Sequence, residues 1–260
     1  MSLKDIYGIK LEYKTLADNV LEEFYIPSLQ EAITYKRAVG FFSSNILLQL
    51  TKGLGAFADH KGTMQLLISP KLDKEDYEAI KSGYDIKELV QTKLINSFDE
   101  NIDFDQKNDR FSLLAYLIST GLLEIKVAVL TNDSENAMYH EKIGIFKDGD
   151  GNKISFSGSA NETYNGFNLN YESIDVYCSW YSQESSTRCD IKEMGFDRIW
   201  KNNDKNLISI PFPDVIKEKI LKFSTKENNF VEIDQKYLDT IIKNKFKPVE
   251  PYCDFSKLYE

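Results

Sequence analysis

The sequence predicts an α/β sandwich. Short runs rich in β-branched and aromatic residues recur along the chain, and stretches with helical apolar spacing separate them. With 42% hydrophobic and 13% aromatic residues, the 260-residue chain can build one large domain core, which excludes wholesale disorder.

Residues 17–32 (ADNVLEEFYIPSLQEA) suit an amphipathic helix interrupted near Pro27, whose ring removes a backbone donor. Tyr35–Phe42 reads as a strand ending in a serine pair, and Asn45–Asp59 as a helix punctuated by His60-Lys61-Gly62. Thr63–Ser69 is a second strand closed by Pro70. Residues 73–123 read as mostly helical, apart from a polar loop over Ser97–Arg110. Glu124–Leu130, Tyr139–Phe146, Ile154–Ser159 and Tyr171–Trp180 complete the main strands, with the turn-rich KDGDGNK joining two of them in a hairpin. Ser185–Lys201 and Asp214–Phe223 read as helices, and Leu207–Ile210 as a further short strand. This divides the chain into an N-terminal segment (1–29), a main domain (30–202) and a C-terminal extension or connector (203–260).

A net charge of −9 disfavours tight, non-specific phosphate-backbone binding by the whole surface. A nucleic-acid ligand therefore needs a local basic patch, for which Lys36, Arg37, Lys126 and Lys142 are candidates against a background of scattered solvated lysines. Cys178, Cys189 and Cys253 are odd in number and lack any C-x-x-C, which fits a reduced cytoplasmic protein with no metal site. The longest apolar run, Leu113–Leu123, falls short of the roughly 20 residues a membrane span requires. A calcium loop starting at Asp148 fails, because Lys153 stands where glycine is needed and Ser159 where glutamate is needed.

The chemistry concentrates in three places. In YHEKIGIF (139–146), strand alternation would put His140, Lys142 and Gly144 on one face and Ile143 and Ile145 on the other, with Gly144 leaving room for a ligand. An edge-strand histidine beside a solvated lysine is the alternative. In FSGSANET, Ser159 and Asn161 offer hydrogen-bonding groups, either to a ligand or as caps of a following turn. Glu172 opens an otherwise largely apolar strand, either exposed at its end or able to fix the tautomer of His140.

His140-Glu141-Lys142, then Gly158-Ser159-Ala160-Asn161, then Glu172 opening a strand that ends in Trp180, together resemble the phospholipase D superfamily, in its single-motif nuclease branch. The resemblance spans roughly residues 30–202, and the wording AVGFFSS…FSGSANET…ESIDV is similar to the nuclease-type module of some bacterial helicase and restriction-type proteins. It implies a mixed β-sheet between helices and a metal-independent phosphodiesterase without cofactor, with DNA as the substrate. In that scheme His140 is the nucleophile that forms a phosphohistidine, and Glu172 orients it. Lys142, Ser159 and Asn161 hold the phosphate oxygens.

In that family an aspartate often follows the lysine after four intervening residues. Lys147 stands there, so Asp148 is read as a turn residue. No ATPase motif G-x-x-x-x-G-K-[ST] occurs, so a helicase domain, if one is present, lies elsewhere. The only other histidine, His60, has no accompanying motif and reads as a surface residue. The resemblance then implies a homodimer whose second catalytic histidine is the other copy's His140. A catalytically silent nucleic-acid- or protein-binding module, or a small-molecule or lipid phosphodiesterase, are the alternative readings.

Overall fold

The computed structural model describes residues 2–15, 17–41, 54–69, 88, 92, 94–95, 108–131, 139–159 and 172–222. Among them eight strands run in chain order as β1 (Glu12–Lys14), β2 (Thr34–Phe41), β3 (Thr63–Ser69), β4 (Leu123–Leu130), β5 (Ile143–Lys147), β6 (Lys153–Gly158), β7 (Ser173–Cys178) and β8 (Leu207–Pro211). They form one sheet in the order β1-β7-β6-β5-β2-β3-β4-β8. The pairs β2–β3 and β3–β4 are parallel and every other neighbour is antiparallel, so the sheet is mixed. The helices are α1 (Ile26–Glu31), α2 (Leu54–Asp59), α3 (Asn108–Ser119), α4 (Gln183–Trp200) and α5 (Asp214–Leu221).

Strand alternation divides the side chains between two apolar layers. Tyr35, Val39, Leu66, Ile68, Val127, Phe146 and Phe156 join the core that also holds Leu29 of α1, Phe57 of α2, Leu113 and Leu117 of α3, and Ile216 of α5. On the opposite face Ala38, Leu67, Ala128, Ile143 and Ile145 meet Phe196, Ile199 and Trp200 of α4. Helices thus cover both faces of the sheet, as the sequence predicts.

Helix α4 is also held by charge. Lys36 lies 2.9 Å from Glu193 and 2.7 Å from Asp197, and Lys153 bridges Glu193 and Asp190. Ser182 caps the helix by accepting from the Ser185 amide at 3.1 Å. These pairs correct the basic-patch expectation. Lys36 points to the α4 side, and Lys126 lies over the Trp200 ring and donates to its carbonyl, so neither joins Arg37 and Lys142 on the other face.

Four expected boundaries shift. The helix expected over 17–32 carries a π-turn at Leu21–Tyr25 just before Pro27, whose ring lacks the N–H of a regular helix position. The N-terminal segment contributes β1, too short to show a period of its own and fixed by antiparallel pairing to β7. The helix α3 begins at Asn108, inside the stretch read as a loop. The strand expected from Tyr139 begins only at Ile143. Part of the helix expected over Asn45–Asp59 lies outside the described residues, as do Asn161 and Cys253.

Asp148 sits at the β5–β6 turn and is buried. It accepts from Asn152 Nδ2 and from the Asp150 and Asn152 amides, and also from Ser2 Oγ and the Leu3 amide, both at 2.9 Å. Burial opposes its ionisation, but these donors, Asn152 foremost, hold its carboxyl below the usual range. Its role here is to tie the turn to the N-terminal segment.

Candidate active site

The register of the central strands sets the location. Gly144 of β5 lies opposite Arg37 of β2 and Phe156 of β6, and Gly158 of β6 opposite Ile174 of β7. The end of β2, the start of β5, the end of β6 and the start of β7 therefore share one edge of the sheet. His140, Lys142, Ser159 and Glu172 all fall there.

His140 and Lys142 stand just ahead of β5. The Gly158 amide donates to the Lys142 carbonyl at 3.4 Å, so antiparallel pairing runs one residue beyond the strand and keeps the alternation. The Lys142 ammonium lies 3.2 Å from Nδ1 and 3.1 Å from Nε2 of His140, donating to whichever nitrogen carries the lone pair. Burial and then the Lys142 charge lower the His140 pKa from its ordinary value. Lys142 is lowered too, first by burial, with Glu172 opposing and Arg37 reinforcing the shift. The opposing influence of Glu172 puts its carboxylate within electrostatic range of the ammonium.

Two glycines behave differently from one another. At Gly158 a Cβ would overlap the Ser173 carbonyl, so only glycine lets the end of β6 close on β7. The closure sets Ser159: its amide donates to the Ser173 carbonyl at 3.2 Å and its Oγ accepts from the Ser173 amide at 3.4 Å. Gly144 was expected to leave room for a ligand. The structure corrects this: the ring of Phe156 occupies that space, and a Cβ at Gly144 would overlap it. Gly144 is a packing glycine, which strand alternation alone does not reveal.

Glu172 is held from the N-terminal segment. Its amide donates to Thr15 Oγ1 at 3.0 Å, and the Thr15 amide donates to its carbonyl at 3.1 Å. The sequence reading missed Thr15, because nothing in the sequence reveals a contact 157 residues away. It also left Arg37 as one of four scattered cations, although Arg37 is 1% exposed and its guanidinium stands 5.1 Å from the centre of the Phe156 ring. His60 ends α2 next to the start of β3, and Thr63 of β3 and Lys147 of β5 both pair with Thr34 of β2. It therefore lies at the far end of the sheet from His140, exposed against Phe57. Among the described residues no group of three or more His, Cys, Asp or Glu side chains is placed to hold a metal ion.

A family model described as cardiolipin synthase, PLD-like domain, matches residues 51–190, just over half the chain and all of the motif residues. The chain belongs to the phospholipase D-like family. This phospholipase D-like chain is by family a member of a phosphodiesterase superfamily, enzymes acting on phosphodiester bonds. No curated protein matches it. Among solved structures it is similar to NucT from Helicobacter pylori, at 15% identity and a TM-score of 0.44, covering 77% of this chain and 97% of that one. Nuc from Salmonella typhimurium follows at 11% identity and a TM-score of 0.37, covering 70% and 86%. Yeast tyrosyl-DNA phosphodiesterase gives 12% identity and a TM-score of 0.32, covering 57% of this chain and 26% of that one. No helix among the described residues is long and apolar enough to cross a membrane.

Proposed function

We propose that this phospholipase D-like chain is a metal-independent nuclease that cleaves DNA through a phosphohistidine, in a site shared by two copies. The observation that carries the reading is the His140–Lys142 contact, at an edge where Ser159 and Glu172 also converge. A pKa held below the ordinary value by burial and by Lys142 favours the neutral His140 ring, with the lone pair a nucleophile needs.

A ring nitrogen of His140 bonds to phosphorus as the bond to the leaving oxygen breaks. That oxygen takes a proton from the protonated His140 of the second copy. Water then attacks phosphorus and gives its proton back to that histidine, the N–P bond breaks, and both rings return to their starting state. Lys142 and Ser159, with Asn161, hold the non-bridging oxygens where negative charge gathers. Glu172 supports the ring while it is cationic. The second histidine is assigned to another copy because His60 belongs to the far end of the sheet. The single-motif resemblance favours a nucleic acid over a lipid, and a helicase or restriction-type partner would deliver the DNA in the cytoplasm.

Wild type is expected to cut single- or double-stranded DNA in excess EDTA, and His140→Ala to lose at least a thousandfold in rate. Equal cutting by both proteins would overturn the assignment of His140. No cutting by either would make the chain a binding module.

A further inference from the structure

Arg37 has no part in the chemistry just described. It lies outside residues 51–190, and it is the largest fully buried side chain among the described residues. Its neighbours on the same strand face, Tyr35 and Val39, are apolar core. A guanidinium there carries a desolvation cost that an apolar side chain of similar size would avoid. The fold also adapts to it. Arg37, Gly144 and Phe156 form one row across β2, β5 and β6. The missing side chain at Gly144 lets the Phe156 ring slide over β5, and the guanidinium meets that ring. The row lies two residues from Lys142, roughly 7 Å along the strand, on the same face of the sheet.

We propose that Arg37 is a positioning residue of the phosphodiester site, a permanent cation buried two strand positions from Lys142 whose field strengthens the hold on an anionic phosphorus centre. The inference rests on the phosphodiesterase reading above and names one of its determinants. At 1% exposure Arg37 does not contact substrate; it acts through the charge it places near Lys142. The same charge lowers Lys142, after burial and against Glu172, and it also acts on Tyr139. Arginine suits the task because its guanidinium keeps its proton when buried, where a lysine can lose it.

The chain has only two histidines, and they occupy opposite ends of the sheet. Their ring carbon signals therefore give a site probe and an internal control in one spectrum. Inorganic phosphate is titrated into the full chain and followed at His140, for wild type, Arg37→Lys, Arg37→Gln and Arg37→Met. The two neutral variants should bind phosphate about tenfold more weakly, as loss of one charge at this range predicts, with His60 unmoved. Arg37→Lys should fall between wild type and the neutral variants, since a buried lysine keeps its charge only in part. Gln keeps a hydrogen-bonding head and Met keeps the packing, so a purely structural role would spare at least one of them.

Unchanged phosphate affinity in a folded neutral variant would overturn the inference, as would a wild type that does not bind phosphate at His140. Unfolding of both neutral variants with Arg37→Lys intact would assign the charge to the fold and overturn it as well. If wild type fails to cut DNA but binds phosphate in an Arg37-dependent way, the nuclease reading falls and the anion site stands.

Discussion

At the scale of single residues, the site depends on small shifts in protonation. In the proposed shared site two copies of His140 must differ by one proton, so they would titrate as a coupled pair. Each pKa is lowered by burial and by Lys142, which places the neutral form at lower pH than usual. The dependence of kcat/KM on pH should then be bell-shaped, with its optimum on the acid side of pH 6.5, the ordinary histidine value. An NMR titration gives a direct check: Lys142→Gln should raise the His140 pKa, and an unchanged value would show that the ammonium does not set it. Gly158 makes a second residue-level test. Gly158→Ala should separate the ends of β6 and β7, costing about 1–3 kcal/mol in chemical denaturation and at least tenfold in activity. That His140, Lys142, Ser159 and Glu172 lie together at one end of the sheet was legible in the sequence through the motif resemblance. The packing role of Gly144 was not, since it depends on which residue of β6 lies across from it.

At the scale of elements, the strands with several apolar residues in alternation were legible, and so were the long helices. What the sequence hid were elements defined by a partner. The strand β1 exists because β7 offers an edge, and β5 is short because pairing on both sides begins only at Ile143. The attachment of α4 was hidden for the same reason. The helix itself reads from the sequence but its charge partners do not: Glu193 is only 14% exposed between Lys36 and Lys153. Burial opposes ionisation of Glu193, but the two lysines prevail and bring its pKa down to about 2 from an ordinary 4.5. A lowered folded-state pKa means stability that is present above pH 4.5 and is lost as pH falls towards 2. Glu193→Gln should therefore cost about 2–3 kcal/mol at pH 7 and little near pH 2. Urea melts at the two pH values measure this; an equal loss at both would refute the assignment.

At the scale of the whole molecule, the placement of His60 at the far end of the sheet makes the proposed dimer testable. Light scattering should give twice the monomer mass. Mixing His140→Ala with wild-type chains should lower activity more steeply than the fraction of wild type, because each composite site needs both copies. A linear dependence would mean that each copy works alone.

The tether between Thr15 and Glu172 has a further implication, for synthesis. The chain emerges from the ribosome N-terminus first, so residues 12–15 leave long before their partners in β7 exist. Ser2 and Leu3 likewise wait for Asp148, which follows about 146 residues later. Contacts of such wide sequence separation form late, after the loop between them has closed. The backbone at Glu172 is thus secured by one of the last docking events in folding. A nascent chain would carry its histidine and lysine already in line while the start of β7 stays untethered, and the site would remain unfinished until the chain's own beginning has come home.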